Sequence, residues 1–248
     1  MSSIVARATA PLVYVLLVIV WEAGARIFKI PGWILPAPTA IIVAARDWAP
    51  ELIYNSYVTL IETVLGFLLA LVLSLPLAVI IAFTVTLRTL IYPILLGLQS
   101  IPKVALAPLV ILWLGLGSWP KIVIVVLVCF FPILVNVVAG FEAVPKAMLD
   151  LMRSLLAPER AVFHRLRIPI ALPHLFTGCK IAVTFAVIGA VISEFVAAQE
   201  GLGYLILIST AQSQTPLAFA SILLLTVISV VLFYAVEFLE RRFVTWKP

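Results

Sequence analysis

Long runs of apolar residues, separated by short polar stretches, extend along almost the whole chain. A helix of about 20 apolar residues crosses the hydrocarbon core of a bilayer. The runs do not alternate at every second residue as the strands of a membrane barrel do, so we expect an all-α integral membrane protein with about six transmembrane helices. The expected spans are 9–28, 60–84, 90–114, 122–141, 174–195 and 216–236.

The composition excludes a water-soluble globule. Of the 248 residues, 65% are hydrophobic and only 11% are charged, whereas a soluble domain is about 25% charged. So few polar residues cannot cover so large an apolar core, and lipid must cover much of the surface. The two cysteines, Cys129 and Cys179, lie in apolar runs, where a free thiol packs as a small hydrophobic group.

Lysine and arginine predict the orientation, because they collect in short loops on the cytoplasmic side. Most of them lie on the side of the two termini, so we expect a multi-pass protein with both termini in the cytoplasm. A cleaved signal peptide is the alternative for the first run, since Ala23-Gly24-Ala25 follows it, but the charge of Glu22 disfavours cleavage there. The basic residues assigned to the inner side are Arg7, Arg88, six between residues 146 and 180, Arg241, Arg242 and Lys247.

Charged residues are dense only in the stretch 142–173, which we expect to form a loop in water. Its pattern predicts a first helix over about 146–156 and a second over about 158–165, with Pro158 suited to the first turn of the second. An amphipathic segment of this kind could dock in the groove of a partner protein. A basic segment resting on anionic lipid is the alternative.

Several motifs resemble those of a known family. The loop holds Asp150-Leu151-Met152-Arg153, then Ala157 and Phe163, then Ile168-Pro169-Ile170-Ala171-Leu172-Pro173 with Gly178. Further motifs are Leu35-Pro36-Ala37-Pro38-Thr39, Ile101-Pro102-Lys103-Val104-Ala105-Leu106-Ala107-Pro108-Leu109, Leu112-Trp113-Leu114-Gly115-Leu116-Gly117, and Glu194 with Gly201-Leu202-Gly203-Tyr204-Leu205-Ile206. Together they resemble the permease subunits of ABC importers of the nitrate, sulfonate and taurine class.

This resemblance implies a type I importer permease with the MetI-like fold, in the inner membrane of a prokaryote. The chain would catalyse no reaction and bind no cofactor, because ATP and Mg would bind to a separate ABC ATPase subunit. An extracytoplasmic solute-binding protein and a second permease, identical or related, would complete the importer. By resemblance, the residues that dock on the ATPase are Asp150, Arg153, Ala157, Pro158, Glu159, Arg160 and Phe163.

The loop departs from the family pattern at two places. The usual Glu-Ala-Ala is Asp150-Leu151-Met152 here, and the usual glycine is Leu156. Glycine permits a positive φ, so Leu156 predicts a different turn or looser docking. A looser loop would fit the degenerate half of a heterodimer.

Lys103 is a candidate for the translocation path. It lies fifteen residues beyond Arg88, which is about 22 Å along a helix and therefore near the middle of the bilayer. An ionisable group at that depth is a functional candidate by default. Pro102 and Pro108 predict a broken helix there, whose free carbonyls could face a water-filled path.

The alternative role for Lys103 is structural, as the partner of Glu62 or Glu194. A proton-coupled secondary transporter that uses Lys103, Glu62 and Glu194 as a relay is the main alternative function. Asn136, four residues after Pro132, is a further path candidate, but we expect it to bond a backbone group that the proline frees. Because no nucleophile and base occur at a recognisable spacing, an intramembrane enzyme is disfavoured.

The sequence predicts no nucleotide, metal or nucleic-acid site. Gly-x-x-x-x-Gly-Lys-Ser/Thr does not occur, and Gly201-Leu202-Gly203 lacks the third glycine of a dinucleotide motif. His164 and His174 have no other ligand at metal-binding spacing. By resemblance, the stretch from Ala186 to Phe195 is closer to the branch that imports pyrimidine precursors of thiamine, or riboflavin, than to the branches for sulfonate, taurine or nitrate.

Overall fold

The computed structural model describes the backbone of residues 2–246, and their side chains apart from 2–12, 85 and 197. The side chains of Arg7 and Lys247, which contribute to the predicted orientation, lie outside this described part. All regular secondary structure within residues 2–246 is helical. The α-helices are α1 (Ser2–Ile27), α2 (Pro38–Asp47), α3 (Ala49–Phe83), α4 (Val85–Gln99), α5 (Ala107–Leu114), α6 (Ser118–Glu142), α7 (Lys146–Ser154), α8 (Glu159–Val162), α9 (Ile168–Ala197), α10 (Leu202–Ala211) and α11 (Thr215–Phe243).

Several helices have the length and composition of membrane spans. In the described residues there are four such helices, or five if one bent pair counts as a span. The four are Ala49–Phe83, Ser118–Glu142, Glu159–Val196 and Thr215–Phe243. They contain four of the expected spans, although α3 begins eleven residues before the expected position 60. The first expected span, 9–28, begins with side chains outside the described part, so six crossings stay a prediction.

The predicted break near Lys103 is confirmed. The helices Thr86–Gln99 and Lys103–Leu114 meet at 83°, so the segment 90–114 is a bent pair and not one straight helix. Pro102 causes the break, because it lacks the N–H that would continue the helix and disfavours helical geometry at the preceding residue. A 3-10 turn, Lys103–Leu106, leads from the break into α5.

The loop differs from the prediction at its second half. The expected second helix does not end at residue 165, because α8 continues through a π turn, Phe163–Arg167, into α9. Pro169 has no N–H to donate, and the π turn before it shifts the helical hydrogen bonds by one residue, so the helix continues past the proline. The irregular part of the loop that follows α7 is therefore confined to residues 155–158.

The chain forms two compact units. The first comprises Met1–Val58 and Glu200–Thr226, and the second comprises Thr59–Gln199 and Val227–Pro248. In the first unit the carboxylate of Glu22 accepts hydrogen bonds from the backbone N–H of Thr39 at 3.0 Å and from its hydroxyl at 2.9 Å. Thr39 lies at the start of α2, where free N–H groups attract an acidic side chain.

In the second unit α6 and α9 pack closely because small residues line their contact. A Cβ atom built on Gly140 would lie 3.0 Å from the Cα of Ala171, and one built on Gly178 would lie 3.1 Å from the carbonyl oxygen of Pro132. Helix backbones approach this closely only where a side chain is missing. Cys129 and Cys179 are buried free thiols in this core, as predicted.

Candidate functional site

The surface of α7 carries a row of exposed apolar side chains. Met148 is 47% exposed, Leu151 59% and Leu155 67%. These residues are three and four positions apart, so Met148 and Leu151 share one face of the helix, and Leu155, the residue after its last turn, extends that face. Leu149 and Met152 lie next to this face and are half-buried. We call Met148, Leu151 and Leu155 the α7 face.

The turn after α7 is a Schellman motif. The N–H of Leu156 donates to the carbonyl of Arg153 at 2.9 Å, and the N–H of Ala157 donates to that of Met152 at 3.0 Å. Leu156 occupies the left-handed position of this motif, with φ of 50°, where glycine is usual. The prediction of a different turn at Leu156 is therefore wrong, because leucine adopts the conformation of glycine at a cost of about 1–2 kcal/mol.

Most of the residues expected to dock on an ATPase flank this turn. Arg153 Nη1 lies 3.2 Å from Asp150 Oδ1, and both side chains are exposed. Pro158 precedes the first residue of α8 in an extended conformation. Glu159 and Arg160 are exposed, and Ala157 is half-buried. The structure thus brings these residues close to the α7 face along the chain, and their docking role stays a prediction.

Phe163 packs against two aromatic rings of its own chain. Its ring centroid is 5.4 Å from that of Phe83 and 6.1 Å from that of Phe141, and the Phe83 and Phe141 centroids are 5.7 Å apart. Aromatic rings attract one another at such distances. Phe163 is thus half-buried against rings of its own chain, and its docking role stays a prediction.

Arg167 completes this aromatic group. Its guanidinium carbon lies 4.6 Å from the centroid of the Phe83 ring, which is a cation–π distance. We call Phe83, Phe141, Phe163 and Arg167 the aromatic clasp. An apolar cavity of about 270 Å³ lies beside the clasp and is lined by Phe141, Phe163 and side chains of α3, α6 and α9.

The described residues of the second unit include three buried acidic side chains, those of Glu62, Glu194 and Glu240. Glu62 of α3 forms an ion pair with Lys121 of α6, and their side chains are 2% and 5% exposed. Glu194 of α9 accepts a hydrogen bond from the Thr59 hydroxyl at 2.7 Å. Thr59 and Glu62 lie about one turn apart on α3, so this part of α3 binds both α6 and α9.

Lys103 does not pair as predicted. Its ammonium donates to the carbonyl oxygen of Gln99 at 2.8 Å and lies 5.2 Å from the centroid of the Phe131 ring. Because Lys103 follows the break, its side chain reaches back to the last residue of α4, and Lys121 takes the place beside Glu62. No ion pair in the described structure joins Lys103 to Glu62 or Glu194, so the prediction of such a pair is wrong.

Asn136 bonds a backbone carbonyl of α6, but not the carbonyl that the proline frees, so this part of the expectation is wrong. Its side-chain amide donates to the carbonyl oxygen of Pro132 at 2.8 Å. The acceptor is the carbonyl of the proline itself, whereas the carbonyl that the missing proline N–H leaves free is that of Val128. Asn136 therefore ties one turn of α6 to itself.

Sequence reasoning missed Lys121 and three members of the clasp. Lys121 directly precedes the expected span 122–141, but α6 begins at Ser118 and includes it. An acidic residue within an apolar helix needs a cation, which was the signal for Lys121. Phe83, Phe141 and Arg167 gave no signal, because rings in apolar runs and arginines in loops are common.

The sequence matches one protein family over most of its length. The family is described as "Binding-protein-dependent transport system inner membrane component", and the match covers residues 70–245. The "Formylaminopyrimidine transport permease protein ThiX" of Halalkalibacterium halodurans is 34% identical over 95% of this chain and 94% of that protein. The "Riboflavin transport system permease protein RibX" of Chloroflexus aurantiacus is 35% identical over 96% of this chain and 89% of that protein.

A solved structure shows the same fold. The MetNI methionine ABC transporter, in an inward-facing conformation, aligns with a TM-score of 0.69 at 19% sequence identity. The alignment covers 79% of this chain and 97% of the other. The MetI-like fold expected from the loop motifs is thereby confirmed. This chain belongs to the family of inner membrane components of binding-protein-dependent transport systems, and it is the permease component of an ABC importer.

Proposed function

We propose that the permease docks through α7 on a separate ATPase subunit, which binds ATP and Mg and carries out the hydrolysis. The α7 face carries this proposal. It presents three large apolar side chains in the segment of the chain where charge is densest, and exposed apolar patches rimmed by polar residues are typical of protein interfaces. The family supports it, because an inner membrane component implies further components of the transport system.

The residues around the α7 face form its polar rim. Asp150 and Arg153 are exposed on α7, and Glu159 and Arg160 are exposed a few residues further along the chain on α8. Charges at the rim of an interface set the orientation of a partner more than its affinity. Ala157 and Pro158 shape the turn between α7 and α8. The Schellman motif keeps the geometry that a glycine would give, so Leu156 is compatible with tight docking.

We place α7 and both termini in the cytoplasm and the solute-binding protein on the opposite side of the membrane. The excess of lysine and arginine in the loops on the inner side supports this orientation. A second permease chain, identical or related, completes the path across the membrane.

The solute path passes the break at Lys103. Irregular backbone at membrane depth is tolerated only where it faces protein or water, and a lysine there needs a polar environment. Glu62 and Glu194 have partners on neighbouring helices and Asn136 bonds its own helix. These three residues hold the helices in place and leave the contact with solute to Lys103.

The transported solute is a small heteroaromatic molecule, such as a pyrimidine precursor of thiamine, or riboflavin. Two relatives named for formylaminopyrimidine and riboflavin transport align with almost the whole chain, which supports this class. The stretch before Glu194, which lacks tryptophan, points the same way.

The test is purification of the tagged permease from its native membrane in mild detergent, followed by mass spectrometry and an ATPase assay. We expect a stoichiometric ABC ATPase in the wild-type complex. Leu151→Arg places a charge in the middle of the α7 face and should reduce the amount of bound ATPase at least tenfold. Mass spectrometry also shows whether the second permease is identical or related.

The matched control is Leu116→Arg. Leu116 is also an exposed leucine, in the turn between α5 and α6, and lies outside the docking loop. This variant should retain the ATPase at the wild-type ratio. A wild-type permease that purifies without any ATPase, or a Leu151→Arg variant that retains it fully, would contradict the proposal.

A further inference from the structure

We propose that the aromatic clasp is the joint through which movement of the docking loop reaches the transport helices. This inference rests on the proposed docking of α7 on the ATPase. Phe83, Phe141, Phe163 and Arg167 are positioning residues in it, because they act on the helices that form the path and touch neither ATP nor solute.

The clasp connects the loop to α3. Phe163 and Arg167 are the first and last residues of the π turn that joins α8 to α9. Both contact Phe83, the phenyl ring of Phe163 at 5.4 Å and the guanidinium of Arg167 at 4.6 Å. Phe83 is the last residue of α3. A displacement of the loop therefore acts directly on the end of α3.

The clasp also reaches α6. Phe141 is the residue before the end of α6, and its ring is stacked on that of Phe163 with an angle of 15° between the ring planes. The neighbouring Glu142 is paired with Arg88 of α4 at 2.7 Å. The ends of α3 and α6 and the beginning of α9 thus meet at one aromatic contact, and α4 is tied beside it.

The surroundings of the clasp allow Phe163 to move. A π turn is a local widening of a helix, and such turns are frequent at functional sites. The adjacent apolar pocket of about 270 Å³ is partly open at the surface of the chain, so the helices do not enclose the ring of Phe163 on that side. Arg167 Nε is buried and has no hydrogen-bond partner among the described residues. The contact of the guanidinium with the Phe83 ring therefore holds this part of the side chain without a directional hydrogen bond.

The other end of α3 in this unit is held by polar contacts. Thr59 bonds Glu194 of α9, and Glu62 is paired with Lys121 of α6. Because these contacts hold the far end of α3, a displacement at the clasp would tilt the helix about them. The clasp would thus convert movement of the loop into movement of α3 relative to α6 and α9.

The experiment measures nucleotide-driven movement in the purified complex with its ATPase. A nitroxide label is attached at Ile188→Cys on the exposed side of α9, while the native thiols are buried and react slowly. The distance between this label and a label at the aligned position of the second permease, whether identical or related, is measured by electron-electron resonance without nucleotide and with ATP and vanadate. Phe163→Ala should reduce the nucleotide-driven distance change to less than a third of the wild-type value, while ATP hydrolysis stays within twofold.

Two further variants separate coupling from folding. Phe163→Leu keeps much of the apolar volume and removes the ring, and it should still halve the distance change. Phe176→Ala is the matched control, because it removes another stacked ring pair of the same unit, Phe176 with Phe243 at 6.5 Å, which is separate from the rings of the clasp. It should leave the distance change intact.

If Phe163→Ala or Phe163→Leu showed a distance change as large as that of the wild type, the proposed role of the clasp as a joint would be overturned. An equal loss of the change in Phe176→Ala would also overturn it, because any lost ring pair would then have the same effect. Loss of the ATPase from Phe163→Ala would assign Phe163 to docking and would contradict its role as a joint. A wild-type complex without an ATPase would instead overturn the proposed function, and the clasp with it.

Discussion

Glu62 and Lys121 form an ion pair in which both side chains are almost wholly buried. Removing two charges from water costs several kcal/mol for each ion, and the attraction between them repays this cost only in part. The pair therefore adds little net stability. The loss of either charge, however, would leave the other buried without a partner, which is costly. Its position between α3 and α6 makes it a determinant of which faces of these helices meet.

Removing one charge of the pair should destabilise the protein strongly. Lys121→Met leaves a buried carboxylate without its cation, and we expect a loss of about 3–5 kcal/mol in the free energy of unfolding. The double variant Glu62→Gln with Lys121→Met should recover most of this loss, because no uncompensated charge remains. Titration of the detergent-solubilised permease with a denaturing detergent measures both values.

The control for this pair is the ion pair of the exposed Arg241 with the half-buried Glu237, at 2.6 Å on α11. Arg241→Met should cost less than about 1 kcal/mol, because exposed pairs contribute little. For the buried pair, the double variant Glu62→Gln with Lys121→Met could instead lose as much stability as the two single variants together. That result would show that Glu62 and Lys121 do not act as a pair.

At the scale of single residues, the sequence predicted the types of group but not the partners. The need of Glu62 for a cation follows from the cost of a buried charge, but Lys103 and Lys121 both lie in apolar surroundings along the sequence. The choice between them depends on the 83° bend, which turns Lys103 back to Gln99. No local pattern encodes the contact of Phe163 with Phe83, since 80 residues separate them.

At the scale of helices, the contact of α6 with α9 depends on glycine. A Cβ atom on Gly178 would lie 2.9 Å from the Cβ of Asn136, and one on Gly140 would lie 2.8 Å from the Cβ of His174. Contacts this short are not tolerated without movement of a helix. Gly178 belongs to the loop motif of the family, and the packing gives a physical reason for a glycine at this position.

Gly178→Ala should destabilise the pair of helices by about 1–3 kcal/mol, the usual cost of extra volume in a packed core. Gly97→Ala is the matched control, because it is also in a helix and nothing lies within 4 Å of the added atom. This control should gain up to about 1 kcal/mol through higher helix propensity. Thermal unfolding of both variants in the same detergent compares them, and equal changes would show that close approach at Gly178 is not limiting.

The helices themselves were largely predictable, because the length of an apolar run sets the length of a membrane helix. The break at Pro102 followed from the geometry of proline. The continuation of α8 into α9 did not follow from the sequence, because prolines such as Pro169 and Pro173 are typical of the end of a helix. Here Pro169 falls in the first turn of α9, and the hydrogen bonds of the preceding π turn are shifted by one residue.

At the scale of the whole molecule, two loops lie on opposite sides of the membrane when an odd number of crossings separates them. One expected crossing, formed by α6, lies between Leu116 and Leu156, so these residues should lie on opposite sides of the membrane. Both side chains are exposed, and the two native thiols are buried. Cysteines introduced at the two positions therefore report the side of each loop against a low background.

In vesicles freed of the ATPase, a membrane-impermeant maleimide should label Leu156→Cys only when the cytoplasmic face is outside. Leu116→Cys should be labelled only when that face is inside, because the positive residues place the docking loop in the cytoplasm. Labelling of both cysteines from one side would mean that α6 does not cross the bilayer. If each cysteine were labelled from the side opposite to the one expected, α6 would still cross the bilayer but the orientation of the protein would be the reverse. In that orientation α7 could not reach an ATPase in the cytoplasm.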